Sequence, residues 1–448
     1  MLKRMLKFAG LVLLAVAIVS GAAPARAQGI SLIRDAEIEN AIRIFAAPIF
    51  RAAKLNASSI KIHLVNDSAL NAFVTGGQRV FINTGLITAA KSPGQIIGVI
   101  AHETGHIAGG HLVRIRNQIN KSSTAAIVAT VLGAVAIGAG RGDIGAAVIA
   151  AGQGIATRDF LKYTRTQEAA ADQAGLKYLD QAGISSQGFL DFMKLLGEQE
   201  LLVPGQQDPY VRTHPLNRNR VSNIDNHVAH SPHTGKRLPA KYDALFKRAR
   251  AKLVGFYNSI GMTRRFYKES DNSLESRYAR AIAQYRKPNL AKATELIDGL
   301  LAEHPNDPYF WELKGQMNFE NGDAKKALPA YQKAVDLLPL NGLIRRDLAR
   351  VQLAMNDPAL LDAAILNLRH AISRERDSPF NWRQLAIAYG RKGDKGHSSL
   401  ALAEAALLNH KASEARYHAG LVERLFPRGS REWIQAQDIL LALPKKKP

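Results

Sequence analysis

Trp311, Gly315, Ala327, Tyr331, Ala334 and Pro339 stand at offsets 0, 4, 16, 20, 23 and 28. This is the spacing of a tetratricopeptide helix pair, in which small residues let two helices approach and aromatic rings fill the space between pairs. Shifted back by 34, Ala293 and Pro305 fall on the positions of Ala327 and Pro339. Trp382, Leu385, Ala386 and Tyr389 reopen the pattern 71 residues after Trp311, which leaves room for two repeats with a short insertion. One pair cannot bury its apolar face alone. Residues 274 to about 440 are therefore expected to stack into one α-solenoid with a concave, protein-binding surface.

The preceding part of the 448-residue chain has a different texture. "IKIHLVND" and "RVFINTGL" alternate apolar and polar residues around a turn-rich "NAFVTGG", which predicts two strands of a small sheet. Ser92-Pro93-Gly94-Gln95 is a capping-box start for a helix through roughly Arg116. That helix carries "HETGHIAGGH", with His102 and His106 four apart and Glu103 between them. Four residues make one turn, so both imidazoles can point at one metal ion while Glu103 faces its open side, placed to take a proton from water. Zinc needs a third protein ligand and a position for water. His111 is one residue early for the pattern H-E-x-x-H-x-x-G-x-x-H, whose last place is held by Leu112, and it reads as a supporting residue.

Downstream, Thr164 and Gln167 in "YTRTQEAAADQAG" form a second capping box. Glu168 is then expected in the first turns of a helix as the third ligand, with Asp172 one turn later accepting a hydrogen bond from a ligating imidazole. In "THPLNRNR", His214 and Arg220 are candidates to bind the oxyanion of a tetrahedral intermediate, or His214 could reach the metal and leave the resting site latent. Between the two motifs, residues 124–156 are apolar and rich in Ala and Gly, expected as a close-packed helical hairpin with membrane contact as the sharper alternative. The basic helix "KYDALFKRARAKL" reads as a solvated face near the domain boundary.

At the front, Lys3, Arg4 and Lys7, the apolar run "FAGLVLLAVAIV" and "APARA" have the grammar of a secretory signal peptide over residues 1–27. The chain contains no Cys, which excludes thiolate catalysis and thiolate ligands, so His, Asp or Glu must hold any metal. A net charge of +22 raises the question of nucleic acid, but export removes that partner and no recognition motif is present, so none is expected. Anionic membrane surfaces or acidic polypeptides fit better.

The ordered set "NAFVTGG…VFINTGLI", "IAHETGHIAGGH", "TRTQEAAAD" and "THPLNRNR" resembles the gluzincin metallopeptidase family that includes the CAAX prenyl proteases. With an export signal in front and repeats behind, it is most similar to the family's periplasmic β-barrel assembly-enhancing branch. The resemblance implies a mostly α fold with a small β-sheet, a zincin-type metalloprotease domain at 28–260 and a tetratricopeptide-repeat domain at 261–448. It implies one Zn2+ per chain held by His102, His106 and Glu168, Glu103 as general base, Asp172 behind a ligand, and His214 as a regulatory or transition-state residue. It further implies a sheet edge beside the cleft at Val80 to Asn83, unfolded or misassembled outer-membrane proteins as substrates, and the outer-membrane assembly machinery as partner through the repeats. The periplasm of a Gram-negative bacterium is the expected compartment, with peripheral membrane contact open. The alternative is a chaperone or adaptor working through its solenoid with a latent zinc site.

Overall fold

The computed structural model describes residues 31–444, apart from 116, 121–122, 125–128, 131–141, 201–213 and 215–217. The proposed leader and the middle of the 124–156 segment lie outside the described residues. The chain is mostly α-helical, with an N-terminal part built on one four-stranded sheet followed by an α-solenoid.

Strand β1 (Leu32–Ile33) leads into helix α1 (Ala36–Ala52), followed by β2 (Lys61–Val65), β3 (Ala72–Thr75) and β4 (Arg79–Asn83). The sheet order is β1-β2-β4-β3, with β2 parallel to β4 and the other pairs antiparallel. Two expectations are corrected. The turn-rich "NAFVTGG" contains strand β3, because Ala72 and Val74 bury their side chains and only Gly76–Gln78 turns, Gly77 and Gln78 with positive φ. Strand β4, paired on both sides, is not an edge; the edge strands are β1 and β3. Period-2 alternation sends Ile62, Leu64, Val74, Val80 and Ile82 into the core. The opposite face stacks His63, Phe81 and Phe73 in one row across three strands, ring centroids 4.8 Å apart at each step.

Helices α2 (Thr84–Ala89) and α3 (Pro93–Ala108) follow, then α4 (Gly142–Gln181), α5 (Gln187–Glu200) and α6 (Arg218–His230). Helix α3 stops at Ala108 and helical residues resume over 111–115, the break arising because Gly110 takes φ +62 and its N–H turns back to Ile107 O. Helix α4 runs unbroken through Thr164, so no helix starts there and Glu168 lies inside the helix. The Ala-rich stretch before it offers no breaker strong enough to end a helix there. Among the described residues no helix is long and apolar enough to cross a membrane.

Helix α7 (Ala240–Tyr257) is the expected basic helix, and it is not a solvated face. Phe246, Ala249 and Leu253 pack in the core of the N-terminal part while Ala251 packs against the repeats. After α8 (Ile260–Phe266) come five helix pairs: α9/α10 (Leu274–Arg286, Leu290–Glu303), α11/α12 (Pro308–Glu320, Ala324–Leu337), α13/α14 (Gly342–Ala354, Leu361–Arg374), α15/α16 (Pro379–Arg391, Lys395–Leu408) and α17/α18 (Ala412–Leu425, Arg431–Ala442). Asp307 and Ser378, each followed by Pro, and Asn341 cap their helices through side-chain oxygens. The insertion inferred from the 71-residue step is the short 3-10 turn Pro358–Leu360. Gly315 is required by contact: a Cβ there would lie 2.6 Å from the Tyr331 ring.

The N-terminal part joins the array through buried charge. Lys252 Nζ, almost fully buried, lies 2.8 Å from Asp35 Oδ2, 3.4 Å from Glu37 Oε2 and 3.5 Å from Glu312 Oε2. Arg248 pairs with Glu37 at 2.7 Å and with Asp307, and Tyr278 Oη donates to Glu37 at 2.8 Å. Burial and the surrounding carboxylates push the Glu312 carboxyl up to about 8, against the pull of Lys252. The folded protein therefore holds this proton more tightly than the unfolded chain. The stability it contributes is complete below the ordinary carboxyl pKa and is lost as pH rises through 8. Glu312→Gln should accordingly gain several degrees in Tm relative to wild type between pH 5 and pH 9, read by thermal unfolding at each pH; a constant difference would contradict this.

Candidate metal centre

Helices α3 and α4 meet at two points where a glycine of one lies against the backbone of the other. A Cβ on Gly105 would lie 2.7 Å from Ala171 O, and one on Gly175 would lie 3.1 Å from the Ala101 carbonyl carbon. This approach sets His102 and His106 of α3 directly against Glu168 and Asp172 of α4. His102 Nε2 and His106 Nε2 are 3.1 Å apart, and each is 3.3 Å from a Glu168 oxygen. His214 enters from the segment before α6, with Nδ1 3.3 Å from His102 Nε2 and 3.1 Å from Glu168 Oε2. One donor atom from each of His102, His106, Glu168 and His214 falls within 4.8 Å of all the others, and all four residues are buried.

The ring of supporting contacts is as specific. His102 Nδ1 lies 2.8 Å from Asp172 Oδ1, which orients the ring with Nε2 facing the cluster. The break at Gly109-Gly110 turns His111 back onto α3, where its Nδ1 sits 3.0 Å from His106 Nδ1 and sets that imidazole's tautomer in the same way. An unbroken helix would carry residue 111 well round from residue 106. The spacing rules alone do not reveal this contact; the consecutive glycines are its only sequence signal.

Arg220 was expected to face a reacting oxygen, but its Nε and Nη2 donate to both Asp172 oxygens at 2.6 and 2.8 Å, and its Nη1 lies 3.1 Å from Glu168 Oε2. The guanidinium is turned onto the two carboxylates, behind the donors, because a buried pair of acids on one helix face needs a bidentate cation. Glu103, fully buried, faces the other side: its Oε1 is 3.5 Å from His214 Nε2, and neither carboxylate oxygen makes a hydrogen bond among the described residues.

The electrostatics favour a cation at the centre. Burial opposes charge on His102, yet Asp172 and Glu168 outweigh it and push the imidazole up to about 10. A field that holds an extra proton on a fully buried ring also suits a divalent ion in the proton's place. Burial lowers His106 to about 3, the neutral form that ligates, while His214 and the other imidazoles overcome burial to hold Glu168 well below the ordinary carboxylate range. Burial raises the Glu103 carboxyl, as a proton acceptor requires. Three imidazoles and a carboxylate, with no sulfur, fit zinc or a similar first-row ion.

Residues 33–228 match the model of Peptidase family M48. The "Beta-barrel assembly-enhancing protease" of Yersinia pestis is 24% identical over 375 residues, covering 80% of this chain and 74% of that protein. The protein of the same name from Escherichia coli (strain K12) is 24% identical over 371 residues, with the same coverage. "Metalloprotease YcaL" of Escherichia coli (strain K12) is 26% identical over 185 residues, 39% of this chain and 65% of that protein. The buried imidazole and carboxylate cluster lies within the matched span, and it makes chemical sense of the match. Residues 33–228 thus match a peptidase family M48 domain around this cluster, and an α-solenoid of helix pairs continues the chain.

Proposed function

We propose that the protein is a periplasmic zinc endopeptidase that cleaves misfolded or misassembled outer-membrane proteins and assists their assembly. The observation that carries this reading is the four-donor cluster of His102, His106, Glu168 and His214 beside the buried Glu103 carboxylate, which makes no hydrogen bond among the described residues. The similarity to β-barrel assembly-enhancing proteases over most of the chain supports the client class and the compartment. The protease domain is taken as residues 28–260 and the repeat domain as 261–448, behind a leader at 1–27. The repeats recruit the assembly machinery or its clients and raise the local concentration of scissile chain.

In this reading His102, His106 and Glu168 hold the ion, with Asp172 and Arg220 as positioning residues. A bound zinc would polarise the scissile carbonyl and make water acidic enough to attack at neutral pH. Glu103 takes the proton from the attacking water and passes it to the leaving amine nitrogen. The outer edge of β3 offers main-chain groups along which an extended substrate can lie with little sequence preference.

His214 is the brake. With Nδ1 among the donors and Nε2 toward Glu103, it stands between the ligands and the proton acceptor, where it would compete with an attacking water. This contact also favours the second reading, a chaperone or adaptor whose site stays latent. His214→Ala should raise the basal rate on an unfolded protein several-fold without loss of the metal, followed by gel assay and metal analysis. A fall in rate at full metal occupancy would make His214 a transition-state residue instead.

A further inference from the structure

The end of the sheet farthest from β3 holds a second feature that the metal centre does not use. Strand β1 covers only part of β2: Leu32 and Ile33 pair with Val65 and Leu64, and the pairing stops there. Asn66 N–H donates to Ser31 O at 2.8 Å, so residues 66, 64 and 62 turn their main-chain groups to the β1 side in alternation. Lys61 N–H, donating to Gln78 O at 3.1 Å on the β4 side, has the complementary direction. The residue that would continue β1 opposite Ile62 is Asp35. It has left the sheet to cap α1, accepting from the N–H groups of Glu37 and Ile38 at 3.0 and 2.9 Å.

Along this uncovered edge lies a cavity of about 550 Å3 closed on its far side by the repeats. Ile62 lines it although its side chain is in the core, so what it offers is backbone. Two cations of the wall are already engaged, Arg34 with Glu39 and Glu375 and Lys61 with Asp377. The Arg43 and Arg374 side chains, which line the same cavity, make no hydrogen bond or close ion pair among the described residues, though Arg43 is near enough to Glu39 to favour that carboxylate's charge. Leu340, 66% exposed, adds an apolar wall.

We propose that this cavity is a strand-addition site for a short, extended, acidic segment of another polypeptide. Its backbone pairs with the Ile62 edge of β2 in line with β1, and its acidic side chains meet Arg43 and Arg374. The volume suits a ligand of this size. A strand edge selects backbone, since alternating N–H and C=O groups complement only another chain, while the two open guanidinium groups select carboxylates. No residue of the site belongs to the metal cluster, so the inference stands or falls independently of the peptidase reading.

The test uses the full chain with Glu103→Gln to prevent cleavage, and the fluorescein-labelled peptide Glu-Val-Thr-Val-Thr-Glu followed by fluorescence anisotropy. The double variant Arg43→Glu, Arg374→Glu, both surface changes verifiable by an unchanged Tm, should weaken binding at least about tenfold. Replacing both peptide Glu by Lys should do the same. Methylating the amide nitrogen of one central residue should abolish binding, while methylating its neighbour is tolerated, because only alternate groups face the edge. No binding to the unaltered arginines at millimolar peptide, binding indifferent to the charge reversal, or equal responses to the two methylated peptides would each overturn the proposal.

Discussion

Glu103→Gln should lower the rate of peptide-bond cleavage about a thousandfold while leaving metal content and Tm unchanged. The carboxylate is fully buried, makes no hydrogen bond among the described residues and has His214 Nε2 as its nearest basic group at 3.5 Å, so a neutral residue of the same shape leaves the packing intact. Gln has the same shape and cannot accept the proton. The three donors on α3 and α4 keep their positions because Asp172, Arg220 and His111 hold them from behind, and none of these touches residue 103. Steady-state cleavage of an unfolded protein, run beside metal analysis, checks both halves. A variant that loses its metal along with its activity would place Glu103 among the ligands; one that retains activity would remove it from the mechanism.

The largest effect on stability should come from Lys252→Met. Lys252 is 2% exposed and faces two carboxylates just before and within the start of α1, Asp35 and Glu37, and the largely protonated Glu312 carboxyl of α11. Burial disfavours its charge, but Asp35, Glu312 and Glu37 overcome this and hold its pKa well above the ordinary lysine value. Removing one member of a buried ion network leaves the others uncompensated, which costs about 3–5 kcal/mol. Met keeps the apolar stem, so the loss reports on charge and not on a cavity. The contrast is Lys61→Met: its pair with Asp377 is about half exposed on both sides and should change stability by less than about 1 kcal/mol. Urea unfolding of the two variants separates the cases, and equal effects would show that the buried network does not hold the repeats to the protease part.

The repeats were legible because their rule is local. Gly315 and Tyr331 are close in sequence and collide if either grows, so the spacing itself records the packing. The insertion before Trp382 was readable from the 71-residue step, since an array tolerates extra residues only between units. The metal-centre residues announced themselves as local fragments: two His on one helical face, and two carboxylates on another. What no local rule could supply is how such fragments meet. The facing glycines 105 and 175 decide that contact, yet nothing in either segment names its partner. The errors have the same origin. The strand in "NAFVTGG" is short and depends on β4 for its existence, so turn residues dominated the reading. Lys252 looked like one cation among many on a basic helix, and only the arrival of α1 and α11 from distant positions explains its burial. Thr164 matched a cap signal that the helix simply runs through.

The central claim is that a metal held by His102, His106 and Glu168 is needed for peptide-bond cleavage. The most direct measurement is cleavage of an unfolded outer-membrane protein by the chelator-treated enzyme before and after one equivalent of zinc, with His106→Ala alongside. The expected result is loss of cleavage on chelation, recovery with zinc, and no recovery in His106→Ala. Cleavage that persists after the metal is removed, or a His106→Ala protein that recovers with zinc, would contradict it.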